Sequence, residues 1–107
     1  MEIIRGTTPT LVITIKNDLD FSMITEVWIY ISQYNKVRID KTFTDVAFNP
    51  VEKTISVPLS QEDTLNARAG DAIFQMRLLL SDGTALATKA KNIDIVQIYK
   101  GGKIVNG

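Results

Sequence analysis

Asp18 and Asp20 are the nearest approach in this chain to a metal pair. A calcium site gathers roughly six to eight oxygen ligands, usually from several carboxylates of one loop. Asn17-Asp18-Leu19-Asp20 offers only a pair of carboxylates and reads as a polar turn, where Asp serves local backbone geometry. Lys100-Gly101-Gly102-Lys103 has the flavour of a phosphate loop. It lacks the P-loop spacing, and no helical pattern follows it. Ser60, Ser81 and Lys89 supply the atoms of a Ser–Lys nucleophile pair, but nothing in the sequence brings them together. Each has a plainer role as helix cap, turn residue or exposed strand charge. Trp28 and Tyr30, two apart, share one face of a strand and could stack on a sugar or a base; strand aromatics also serve simply as sheet packing. Lys89 and Lys91 read as solvated charges.

What is missing narrows the chemistry further. Histidine is absent, and with it the commonest general base and zinc ligand. Cysteine is absent, so there is no disulfide, thiolate nucleophile or Cys-based metal site. No catalytic, metal-binding or cofactor-binding residue is assigned. Lys and Arg number 12 against 12 Asp and Glu, without the basic excess of a nucleic-acid binder. No apolar run nears the roughly 18 residues of a membrane span. Met1-Glu2-Ile3-Ile4-Arg5 has no signal-peptide pattern, and synthesis in the cytoplasm is expected.

The elements that position these residues alternate at the period of strands. Ala72 to Leu80 is the central one, with Ala72, Phe74, Met76, Leu78 and Leu80 on one face and Ile73, Gln75, Arg77 and Leu79 on the other. Ser81-Asp82-Gly83 then turns the chain into a partner strand at 84–89. Before it, Ile3-Ile4 forms a short edge arm, broken by Gly6 and Pro9. Thr10 to Lys16 points Leu11, Ile13 and Ile15 inward. Glu26 to Gln33 points Val27, Ile29 and Ile31 one way and Trp28, Tyr30 and Ser32 the other. Val37 to Phe43 is an edge strand with Val37, Ile39 and Phe43 inward and an inward Lys41 that discourages further pairing. Thr54 to Leu59 follows, its Pro58 facing an edge. Ser60 caps a short helix near 60–69 that ends at Gly70. Asn92 to Ile98 is the last strand, and a flexible tail begins at about residue 99. The count of about seven or eight short strands, with one short helix, predicts a single all-β domain over 1–107: an antiparallel, immunoglobulin-like β-sandwich.

IRGTTPTLVITI near the start, PLSQEDTL in the middle and AGDAIFQMRLLLSDGTALATKAKNIDI towards the end occur in a familiar order. Over residues 3–98 the chain resembles small β-sandwich proteins encoded among the tail genes of phages and prophages of Gram-positive bacteria. More distantly, it is similar to the N-terminal domain of phage baseplate upper proteins. Arg5 to Thr10, Ser60 to Leu65 and Ser81 to Thr84 carry the resemblance most specifically. It implies a non-enzymatic structural or assembly protein of a phage tail, baseplate-associated, whose partners are other tail proteins or further copies of itself. The chain lacks the linker and fibre-attaching region of the baseplate proteins, so a tail-associated sandwich is implied before a baseplate role. Nucleic acid and membrane are not expected partners. The candidate interaction surface is Ile3, Ile4, Trp28, Tyr30, Ile104 and Val105. The alternative is a module that binds a carbohydrate or small ligand on Trp28 and Tyr30.

Overall fold

The longest strand of the computed structural model, which describes residues 1–104, is β7, Gly70–Leu80. Its side chains alternate as the sequence requires. Ala72, Phe74, Met76, Leu78 and Leu80 are buried, while Ile73, Arg77 and Leu79 are exposed. β7 pairs antiparallel with β3, Ile24–Gln33, setting Val27 opposite Leu78, Ile29 opposite Met76 and Ile31 opposite Phe74. These pairs form the floor of the core. A two-residue turn joins β3 to β4, Lys36–Thr42. Tyr34 and Asn35 have φ of 51° and 60°, the left-handed pair that a tight type I′ hairpin demands.

The other side of β7 is shared. β9, Lys91–Val96, pairs with its first half, and β8, Ala85–Ala87, with its second. β1, Glu2–Ile4, runs parallel to β9 and closes that edge. The larger sheet therefore has the order β1-β9-β7-β3-β4, with β8 attached to β7. The smaller sheet is β2-β6-β5: Thr10–Thr14, Thr54–Pro58 and Ala47–Asn49. Leu11, Ile55 and Val57 face inward from it and complete the core between the sheets. The chain is an all-β sandwich. Its strand orders match the B-E-D and G-F-C-C′ sheets of an immunoglobulin sandwich. The first strand departs from the antiparallel expectation by pairing parallel to the last.

Several boundaries differ from the sequence reading. Val37 does not face inward with Ile39. The β3–β4 register shifts at Ile31/Ser32, placing Val37 opposite Ser32, and Val37 is 53% exposed. A bulge moves one side chain to the other face, which simple alternation cannot foresee. Phe43 is not inward either. It opens a 3₁₀ turn, Phe43–Asp45, and its ring centroid lies 5.5 Å from that of Phe48 near the surface. β6 is a central strand, yet Pro58 sits beyond its last pairing with β5, so its missing N–H breaks no ladder. The hairpin partner after Gly83 is only three residues long.

The helix α1 is Gln61–Asn66 and stops short of Ala69. Its start is as expected: Ser60 Oγ accepts from the Asp63 N–H at 3.1 Å, and Asp63 Oδ2 accepts from the Ser60 N–H at 2.8 Å. No glycine ends it. Arg5 instead donates to the carbonyls of Leu65 (3.1 Å) and Ala67 (2.8 Å), the groups a helix terminus leaves free. Gly70, with φ of 124°, opens β7.

Lys41 points inward from β4, the free edge of the larger sheet, as its parity predicts, and meets Asp63 of α1 at 2.8 Å. Partial burial tends to raise the Asp63 pKa, but hydrogen bonds from Lys41 and Ser60 outweigh it and hold the carboxyl below its ordinary value. The unfolded chain thus takes up the Asp63 proton first. Its contribution to stability is complete above about pH 4 and is lost as pH falls through the lower folded value. In Asp63→Asn, chemical denaturation between about pH 4 and 2 should show a shallower loss of stability than in the parent. An unchanged slope would mean that the Lys41–Asp63 pair is not coupled to folding. Asp20 and Asp82 are also lowered, by hydrogen bonds from Ser22 and Thr84 respectively, so part of the acid slope remains.

Candidate interaction surfaces

The outer face of the larger sheet carries Trp28 and Tyr30, because inward Val27, Ile29 and Ile31 force their neighbours outward. Trp28 is 50% exposed. Arg77 lies opposite it on β7, and the guanidinium carbon sits 5.2 Å from the ring centroid, a cation–π contact. Glu26, Leu78, Leu79 and Ala85 complete a shallow hollow beside the ring, of about 140 Å³. That is small against the roughly 300–1,000 Å³ of ordinary ligand pockets. Tyr30 is half-buried, and its hydroxyl donates to Gln75 Oε1 at 2.6 Å. Gln75 in turn donates to the Thr88 carbonyl at 2.9 Å. The two aromatics share a face, but each is engaged with its own partner on β7.

The same face exposes further apolar side chains. Val37, Ile73 and Leu79 are 53%, 47% and 39% exposed, and Ile4 on β1 is 46% exposed. Val37 and Ile73 both lie opposite Ser32, so they flank one cross-strand row. Ile3 does not belong to this surface: at 2% exposure it faces the core, as the alternation of β1 dictates. Ile104 is largely exposed, while its backbone is held in both directions by one side chain. Gln61 Nε2 donates to the Ile104 carbonyl at 2.9 Å, and Gln61 Oε1 accepts the Ile104 N–H at 2.7 Å. Lys103 reaches Glu62 at 3.3 Å. Val105 lies outside the described residues.

The residues weighed for catalysis have local work in the fold. Asp20 accepts the Ser22 N–H at 3.0 Å, a turn geometry, and Asp18 pairs with Lys53 at 3.4 Å. Ser60 is the helix cap. Among the described residues no group of three or more acidic side chains is placed to hold a metal ion.

Two features were not singled out from the sequence. Gln33 is 3% exposed, and its amide bonds both backbone groups of Arg68: Nε2 donates to the carbonyl at 2.7 Å and Oε1 accepts the N–H at 2.8 Å. Its signal was parity, since Gln33 continues the inward series Val27, Ile29, Ile31. The second is a hollow between the sheets beside β2. Ile13, Ile15 and Leu19 line one wall and Met76, Leu78 and Leu86 the other, with Lys16, Lys89 and Lys91 bordering it. Its volume is about 530 Å³. No single stretch of sequence announces it, because its walls come from both sheets. Compared with protein-family models and with curated protein sequences, the chain finds no match.

Proposed function

We propose that this chain is a non-enzymatic structural or assembly protein of a phage or prophage tail, baseplate-associated and acting through protein–protein contacts. The tail assignment rests on the resemblance carried by Arg5 to Thr10, Ser60 to Leu65 and Ser81 to Thr84. The observation that supports a contact role is the outer face of the larger sheet, where Ile4, Trp28, Val37, Ile73 and Leu79 stand in solvent. Apolar side chains gathered on one face favour a partner that covers them. In this reading the protein is made in the bacterial cytoplasm and ends in the tail, bound to other tail proteins or to further copies of itself.

A second reading, a carbohydrate- or small-ligand-binding module, is favoured by the half-exposed Trp28 beside its hollow. Tryptophan fluorescence against a glycan panel separates the two, since Trp28 is the one tryptophan of the sequence and a stacked sugar would shift its emission.

The assembly reading is tested by absolute mass from size-exclusion chromatography with light scattering, at micromolar to near-millimolar concentration. Capture of the products of neighbouring tail genes completes the test. A defined oligomer or a stable complex is expected, weakened by truncation after Tyr99 and by Trp28→Ala. A strict monomer that captures none of those products would overturn it.

A further inference from the structure

The smaller sheet has an open position beside β2. In a constant-type immunoglobulin sandwich the first strand pairs with the second at this edge. Here β1 pairs with β9 in the other sheet, and among the described residues β2 has β6 on one side only. The ladder fixes which backbone groups are free. Leu59 N–H donates to the Pro9 carbonyl at 2.9 Å, and Ile15 N–H donates to the Lys53 carbonyl at 2.8 Å. In an antiparallel pair the bonded residues alternate, so Leu11 and Ile13 also face β6. The N–H and C=O groups of Thr10, Val12 and Thr14 therefore point to the open side.

Other edges carry devices that blunt pairing. β4 has its inward Lys41 and α1 beside it, and β1 and β5 are three residues long. β2 is five residues, TLVIT, without charge or proline inside it. Beside its open edge lies the hollow of about 530 Å³, and a second of about 220 Å³ continues along β2 to Leu11 and Phe74. Among the described residues, no acidic one lines either hollow. Among the described residues, Lys16, Lys89 and Lys91 have no carboxylate within ion-pair distance. The hollow is thus apolar within, positive at its border and flanked by unpaired backbone.

We propose that β2 accepts an extended, acidic segment of another polypeptide as a fourth strand of the smaller sheet. Its backbone pairs with Thr10, Val12 and Thr14, apolar side chains on its inward face enter the hollow, and carboxylates flanking them on that same face meet Lys16, Lys89 and Lys91. This is strand addition, with backbone pairing supplying affinity and the side-chain pattern supplying selectivity. It rests on the assembly reading and names the chemistry of the contact.

The probe is a fluorescein-labelled nonapeptide, ETVTVTVTE in one-letter code, whose inward positions are three valines flanked by glutamates, with its lysine-ended counterpart as comparison. Anisotropy should favour the glutamate peptide about tenfold, with the preference shrinking as salt rises. Hydrogen exchange of the Val12 and Thr14 amides should slow on binding. Val12→Pro removes an edge-facing donor and leaves the β2–β6 bonds intact, and it should abolish binding. The triple reversal K16E/K89E/K91E, at three exposed positions, should invert the peptide preference. Failure of the glutamate peptide to protect those amides, or equal binding by Val12→Pro, overturns the proposal. So does protection of the same amides by dimerisation alone, which would make a second copy the occupant. If Val12→Pro still assembles as the parent does, the edge proposal falls and the assembly reading stands. If the peptide binds but the protein is a strict monomer and captures no tail product, the assembly reading falls and the edge proposal stands.

Discussion

Ile55→Ala should cost about 3 kcal/mol of folding stability and lower the melting temperature by about 12–24 °C. Ile55 lies on the central strand of the smaller sheet, is 0% exposed and points between the sheets. Removing its outer carbons loses their transfer energy and leaves a cavity, because both sheets are held by their own ladders and collapse only partly. Ile55→Val should cost about 1 kcal/mol. Val12→Ala on the adjacent strand removes an exposed side chain and should stay within about 0.5 kcal/mol. Urea denaturation of the three variants checks the ranking. If Ile55→Ala were as mild as Val12→Ala, the smaller sheet would not be packed against the larger one as described.

Gln33→Ala should be nearly as severe, at about 3 kcal/mol, for a different reason. The side chain is buried and serves the Arg68 N–H and C=O together, where the chain leaves α1 for β7. Truncation leaves both backbone groups without their side-chain partner in a part-buried setting, and each orphan costs about 1–3 kcal/mol. Gln33→Glu supplies a sharper test. Its carboxylate can still accept from the Arg68 N–H but would face the Arg68 carbonyl without a proton. The folded state then favours the protonated acid, its pKa rises above the unfolded value of about 4.3, and stability should increase as pH falls through that raised value. A variant whose stability fell over that interval in parallel with the parent would contradict the buried bonding.

The core was legible where strict alternation holds. β7, β3 and β9 place their odd or even members inside as the spacing of Ile, Val, Leu, Phe and Met requires. The inward lysine of β4, the Ser60 cap and the turn at Asp82-Gly83 were also readable, since each depends on local residue chemistry. The misplacements came from non-local causes. Val37 turned outward because one bulge reset the register with β3. α1 ended early because Arg5, some 60 residues away in the chain, takes its terminal carbonyls. The hollow beside β2 depends on which sheet the first strand joins, a choice made by packing across the whole domain. Trp28 and Tyr30 were correctly placed on one face, but their engagement with Arg77 and Gln75 could not be read from spacing within a single strand.

The parallel pairing of β1 with β9 has a consequence in time. Glu2 needs Asp94 as its neighbour, and Met1 gives its carbonyl to the Asp94 N–H. Ribosomes add roughly 5–20 residues per second, so β1 waits several seconds after it is made before its partner strand exists. The earliest strand of this sandwich is among the last that can dock. During that interval the growing chain carries two unattached apolar residues, Ile3 and Ile4. Closure across such a long stretch of chain also belongs to the slow, high-contact-order regime of folding. β1 is thus a latch, set only when synthesis has delivered the far end of the sandwich.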